Sequence, residues 1–354
     1  MTSFCISAVY SLLHLFVDGV CAYAMFGTFL ERPQGYDYVL IYNFCAFALQ
    51  MPFGAALDLL NPGRRKTLPF ITACMGVLLT LAGALTHPVL LGIGNALFHI
   101  GGGVGTICED AEKDWQGRGL GVFVAPGALG LYLGMRLAGS GAGVVWLWGV
   151  GTLMLLLCAG AAGRVFASSP AHDPSKSGMH TGADIAQQKK TGGGLLLTVC
   201  VLLVVILRSY IGMAVTFTWK TTALAGFLCT LAVVSGKVAG GFLAAGCGIW
   251  RTAVLSLAAS AVCYLFSGYR IFGISALFLF NMTMPVTLYL LIRRHPHMPG
   301  FSFGLLTFGL FLGFLPVYFE LPVLQDSSII GCMGSMLSLA ILVCGILWDA
   351  RRNA

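Results

Sequence analysis

Charge is what this sequence has least of. Only 9% of its 354 residues are Asp, Glu, Lys or Arg, too few to cover a water-soluble domain of that length. Hydrophobic residues make up 58%, and they fall in long blocks. Lipid must therefore surround most of the chain. A spanning helix takes about 20 apolar residues, so twelve of them use about 240 and leave only short loops.

Other absences narrow the reading. The net charge is +7, yet the basic residues form no continuous stripe, so nucleic acid is not an expected partner. Among the twelve cysteines no two make a CxxC pair. Cys5, Cys21, Cys45, Cys74, Cys108, Cys158 and Cys200 are scattered along the chain, most of them inside apolar blocks. They read as small hydrophobic residues rather than disulfide or metal ligands. No metal and no cofactor are expected. No cleavable signal peptide is expected either, because the first apolar block runs on into Asp18 and Gly19.

What is present is a succession of spans. Apolar blocks bounded by charge or by Pro and Gly predict helices over 4–29, 37–59, 67–86, 89–107, 119–138, 142–163, 194–218, 221–245, 252–268, 271–292, 301–320 and 328–348. Residues 164–193 are polar and rich in turn formers, cannot bury a core, and divide six spans from six. Expected domains are thus 1–163, a cytoplasmic linker 164–193, and 194–354. Basic residues concentrate on one side of this layout, including Arg64, Arg65, Lys66, Arg118, Arg251 and Arg293, while the other side holds Arg32, Lys220, Arg270 and Arg136. The asymmetry predicts a multi-pass protein of the cell membrane with both termini cytoplasmic.

The halves echo each other. Ile93-Gly-Asn-Ala-Leu-Phe98 parallels Gly273-Ile-Ser-Ala-Leu-Phe278, and Gly130-Leu-Tyr-Leu-Gly134 parallels Gly309-Leu-Phe-Leu-Gly313. Both matches fall in order in the fourth and fifth spans of each half, as a parallel duplication requires.

Ionisable groups in mid-membrane are costly and need a reason. His14 and Asp18, at i and i+4, share one face of the first span; His99 lies midway along the fourth and Arg208 midway along the seventh. Asp18, His14 and His99 are the candidate proton-coupling groups. His14, Asp18, His99, Arg208 and Asn281 are the candidate substrate contacts. Basic groups outnumber the one acid among them, which points to an anionic or zwitterionic solute. A competing reading makes Asp18 and Arg208 a static ion pair locking the halves together.

Three further features have plainer readings. The run Gly101-Gly-Gly-Val-Gly105 lies in an apolar span, where close helix packing explains it better than phosphate binding. Pro126 and Pro285 are expected to kink their helices. Glu109, Asp110, Glu112 and Asp114 are expected to pair with Arg64, Arg65 and Arg118, and Lys237 to reach the cytoplasmic surface along its own stem.

The loop after the second span reads Gly54-Ala-Ala-Leu-Asp58-Leu-Leu-Asn-Pro-Gly63-Arg64-Arg65-Lys66. It resembles the glycine, aspartate, glycine-arginine signature of the major facilitator superfamily, with two extra residues between Asp and Gly and no basic residue after the Asp. Leu13-His14-Leu-Phe-Val-Asp18 and Gly92-Ile-Gly-Asn-Ala-Leu-Phe-His99 look like segments of the fosmidomycin-resistance-like exporters. The resemblance implies an all-α fold of twelve transmembrane helices in two pseudo-symmetric six-helix bundles around a central cavity. It also implies that Asp58, Arg64 and Arg65 belong to a cytoplasmic latch.

These readings converge on an expectation: a proton-coupled secondary transporter, not an enzyme, moving a small polar solute by alternating access, as a monomer in the bilayer. The alternatives are an integral-membrane enzyme acting on a lipid-linked substrate, and a non-transporting receptor or scaffold.

Overall fold

The structure, a computed structural model, describes residues 4–61, 65–167, 194–321 and 326–353. Most of the linker, and Arg64 of the expected latch, lie outside them. The described chain is helical almost throughout. Its long helices are α1 (Ile6–Phe29), α2 (Gly35–Leu60), α3 (Thr67–Leu85), α4 (Pro88–Glu112), α5 (Arg118–Gly139), α6 (Val145–Ala167), α7 (Gly194–Ala214), α8 (Ala223–Cys247), α9 (Ile249–Leu265), α10 (Arg270–Arg294), α11 (Pro299–Tyr318) and α12 (Ser327–Arg351). Eleven are long and apolar enough to cross a membrane. The remaining one, α9, has 17 residues and sits at the short end of the spanning range.

Helix ends follow from local chemistry. The Thr222 hydroxyl accepts from the Ala225 amide at 3.1 Å and starts α8. Pro88 and Pro299 occupy first turns, where a missing N–H costs nothing. The expected seventh span runs past the real one: α7 ends at Ala214, and a non-helical stretch separates it from α8. At Ala125 and at Met282, beside Pro126 and Pro285, α5 and α10 are interrupted.

The acidic cluster is the first correction. Helix α4 continues past the expected end at 107 to Glu112, so Glu109 and Asp110 are buried in its last turns. Among the described residues their partners are not Arg65 or Arg118. Glu109 accepts from the Ser7 amide and hydroxyl and pairs with Lys113 at 3.5 Å, and Glu112 pairs with Lys66. The Asp110 carboxylate accepts from the amides of Gly119 and Leu120 at 2.9 and 3.3 Å, capping α5.

Helices α1–α6 form one bundle and α7–α12 the other, with α2 packed along α11 and α5 along α8 where the bundles meet. Both ends of that seam are shut. At the basic end a Cβ on Gly54 would run into the backbone of Gly300, so the backbones of α2 and α11 approach as only glycine allows. Beside it the Asp58 carboxylate accepts from the Gly300 and Phe301 amides at 2.9 and 2.8 Å, at the amino end of α11. At the opposite end Tyr36 and Tyr318 stack with ring centroids 4.3 Å apart. Each hydroxyl donates to the other residue's carbonyl, at 2.5 and 3.2 Å. Tyr132 adds a bond to the Ala223 carbonyl at 2.7 Å.

Gly54→Val is expected to wedge the basic end apart. Overpacking of this kind costs about 1–3 kcal/mol, enough to shift a two-state equilibrium by about 5- to 150-fold. Hydrogen exchange over 50–60 and 298–306 should speed up correspondingly; unchanged protection there would refute the close-approach argument.

Candidate functional site

Three helices bring their polar residues to one point beside the seam. Helix α1 supplies His14 and Asp18, one turn apart, and α4 supplies Asn95 and His99 at the same spacing. The interruption of α5 supplies bare backbone: Pro126 has no N–H to give, and the carbonyls of Phe123 and Val124 take other donors.

Hydrogen-bond roles in this cluster are forced. His14 Nδ1 lies 2.6 Å from the Phe123 carbonyl, and His99 Nδ1 lies 2.9 Å from the Asn95 carbonyl. A carbonyl can only accept, so both Nδ1 atoms carry hydrogen. In neutral rings both Nε2 atoms would then be bare lone pairs. They face each other at 2.9 Å, a contact that needs one proton between them. The rings meet edge-on, with centroids 4.4 Å apart. Asp18 faces the shared proton, with Oδ2 at 3.2 Å from His14 Nε2 and Oδ1 at 3.7 Å from His99 Nε2. The Asn95 amide donates to Asp18 Oδ1 at 3.1 Å and fixes the carboxylate. Phe98 and Phe123, both fully buried, wall the site. Gly127 closes it: a Cβ there would strike Asp18 Oδ2 and His14 Nε2. The arrangement is suited to hold one proton with its counter-charge beside it.

The same atoms have ligand character for a metal ion, lying within 4.8 Å of one another. Tetrahedral zinc with bonds of about 2.0–2.1 Å holds its ligands about 3.3 Å apart. The histidine nitrogens stand closer than that, at 2.9 Å, so a proton is the better occupant.

Arg208 is elsewhere. It sits on α7 and donates from Nη1 to Asn281 Oδ1 at 3.4 Å, while its Nε finds no acceptor. The Asn281 amide bonds the Leu277 carbonyl of its own helix at 2.9 Å. Among the described residues no ion pair joins Asp18 to Arg208, so the static lock between halves is not formed: Asp18 is already satisfied within its own bundle. Arg208 instead lines a narrow cavity of about 30 Å³ at the seam, with Val124 from α5 and Val205, Thr287, Phe303, Leu306 and Thr307 from the second bundle. The walls are mostly apolar, and Arg208 is the charged group among them.

Lys237 is the second correction. It does not reach the cytoplasmic surface; its ammonium crosses the seam to the Val124 carbonyl at 3.0 Å. That carbonyl is free because α5 breaks at Ala125, which a reading of α8 alone cannot reveal. Asn95 was also overlooked, although its position four residues before His99 places both on one face. Of the expected latch, Asp58 reaches α11 as described above, and Arg65 exchanges two backbone bonds with the Asn61 side chain at 2.9 and 3.0 Å. Asn43 bonds the Val39 carbonyl of its own helix at 2.8 Å.

No family model matches the chain, and no curated protein matches its sequence. Among solved structures it is similar to the crystal structure of the E. coli fucose:proton symporter FucP. The TM-score is 0.57 at 13% sequence identity, over 96% of this chain and 98% of that one. At that identity the likeness establishes the fold: twelve helices in two pseudo-symmetric bundles, the major facilitator fold.

Proposed function

We propose that this chain is a proton-coupled secondary transporter that moves a small anionic or zwitterionic solute through the seam between its bundles. The observation that carries the reading is the pairing of a one-proton cluster in the first bundle with a lone guanidinium in an apolar cavity beside it. Each group has a distinct task. The His14–His99 pair holds the proton, Asp18 balances it, Asn95 and the Phe123 carbonyl orient the two partners, and Arg208 with Asn281 receives the solute's negative group. The FucP title names a proton symporter, which agrees with proton coupling and leaves the solute class to this chain's own residues.

Alternating access needs the two ends of the seam to open in turn. At the basic end, residues 1–163 and 194–354 would separate by releasing Asp58 from α11; at the other, by parting Tyr36 from Tyr318. The basic end faces the cytoplasm in this reading, the membrane is the cell membrane, and one chain suffices. An enzyme reading has no support among these residues, since no nucleophile accompanies the histidines.

The test is reconstitution of the purified chain in proteoliposomes. An imposed pH gradient should drive uptake of small organic anions, with proton movement alongside. Anion flux indifferent to the gradient would remove the coupling, and binding without flux would make the chain a receptor.

A further inference from the structure

The proposed site leaves one charge unaccounted for. Lys237 enters the seam from α8 and Arg208 from α7, and both belong to the second bundle. Neither has an acidic partner among the described residues. Asp18, the acid of the proton cluster, is already held by His14, His99 and Asn95. Glu109 and Asp110, further toward the basic end, are spoken for by Ser7, Lys113 and the start of α5. Two cations at bilayer depth without counter-charge are expensive for a protein to keep.

One residue links the two cations: Val124. Val124, whose carbonyl holds the Lys237 ammonium, is a wall of the cavity that Arg208 lines. An ammonium has three N–H donors and a guanidinium five; here Lys237 uses one and Arg208 one, with Arg208 Nε left bare. Around Arg208 the cavity wall is largely aliphatic and aromatic, including Val205, Leu306 and Phe303.

We propose that Lys237 is a second substrate-binding cation, so that the solute is a small organic dianion: two negative charges carried on a short apolar skeleton. The proposal rests on the reading of Arg208 as the solute's anion partner, and it deepens that reading. In the closed, empty state the Val124 carbonyl holds the ammonium in place; an incoming acid group replaces that neutral acceptor with a charged one, a stronger partner. The bland role for Lys237, a clasp between the bundles, predicts something different. A clasp affects the stability of the closed state and is blind to the charge of the solute.

The test compares ligands that differ by one charge on the same skeleton. Purified full-length protein is titrated with succinate, monomethyl succinate and glycerol phosphate, following thermal stabilisation as a function of ligand concentration. Wild type should bind succinate or glycerol phosphate at least about ten-fold more tightly than the monomethyl ester. Lys237→Gln should erase that difference, and Lys237→Arg should keep it. Preference for glycerol phosphate over succinate would retain the two-cation site and place both charges on one head group. If wild type binds the monoanion as well as the dianions, or if Lys237→Gln keeps the preference, Lys237 is a clasp and the proposal fails while Arg208 remains the anion site. If no anion stabilises the protein, both readings fall. The wild-type comparison needs no variant, so poor folding of Lys237→Gln cannot shelter the idea.

Discussion

Arg208→Gln is expected to weaken anion binding by about 30- to 4000-fold. Removing one partner of a desolvated charge pair costs about 2–5 kcal/mol, and each 1.4 kcal/mol is a factor of ten. The upper half of that range applies if the solute reaches deep into the cavity, because its walls offer few polar substitutes. Val205, Phe303 and Leu306 cannot hydrogen-bond an acid group, and the hydroxyls of Thr287 and Thr307 already donate to carbonyls of their own helix at 2.9 Å. Asn281 would lose its one link to α7, but it keeps its bond to Leu277, so the fold should survive. Equilibrium binding of a radiolabelled anion measures the effect. A Kd unchanged within a factor of three would end the case for Arg208 as the solute's partner.

Asp18→Asn is expected to abolish uphill, proton-driven uptake while leaving exchange of solute for solute. The argument is the cluster's forced proton. With both Nδ1 atoms committed to carbonyls, the 2.9 Å Nε2 contact exists only when a proton fills it. That proton brings a positive charge whose partner is Asp18. Leaving a buried charge uncompensated costs about 3–5 kcal/mol, so the neutral amide should empty the pair of its proton, and the two rings should separate. Exchange without net proton movement needs no such loading. Uptake by wild type and variant into proteoliposomes, with and without a pH gradient, reads both limbs. If the variant still accumulates solute against its gradient, the proton resides elsewhere. If exchange also disappears, Asp18 touches the solute itself.

The layout of this molecule was largely legible, because lipid imposes a coarse rule that apolar length obeys. Every expected span has its helix, and errors sit at ends. Span seven was drawn too long because Val215 and Phe217 are as apolar as the helix before them, though the chain has already turned. Span four was drawn too short because acidic residues suggest a loop, whereas Glu109 and Asp110 are buried in the helix with partners of their own.

The site was legible only as far as one helix at a time allows. The spacing of His14 and Asp18 puts them on one face, and the structure keeps them there with His99 across from them. Sequence spacing cannot say which helix faces which, so it left open an Asp18–Arg208 pair that the structure does not form, and Lys237 was assigned to the wrong surface. Least visible were the carbonyls of Phe123 and Val124. Backbone carries no residue identity, and only the meeting of the broken α5 with α1 and α8 turns these two atoms into binding groups.

The two closures of the seam are made of different materials. Asp58 against the amino end of α11 is a charge facing a dipole, partly open to water; Tyr36 against Tyr318 is a stacked aromatic pair with neutral hydrogen bonds. Salt screens the first kind of contact and hardly touches the second. The ionic strength on the basic side is therefore a lever on the resting state of the molecule: concentrated salt loosens one door and leaves the other as it was. Two transport assays run in different buffers would sample different starting populations of the same protein.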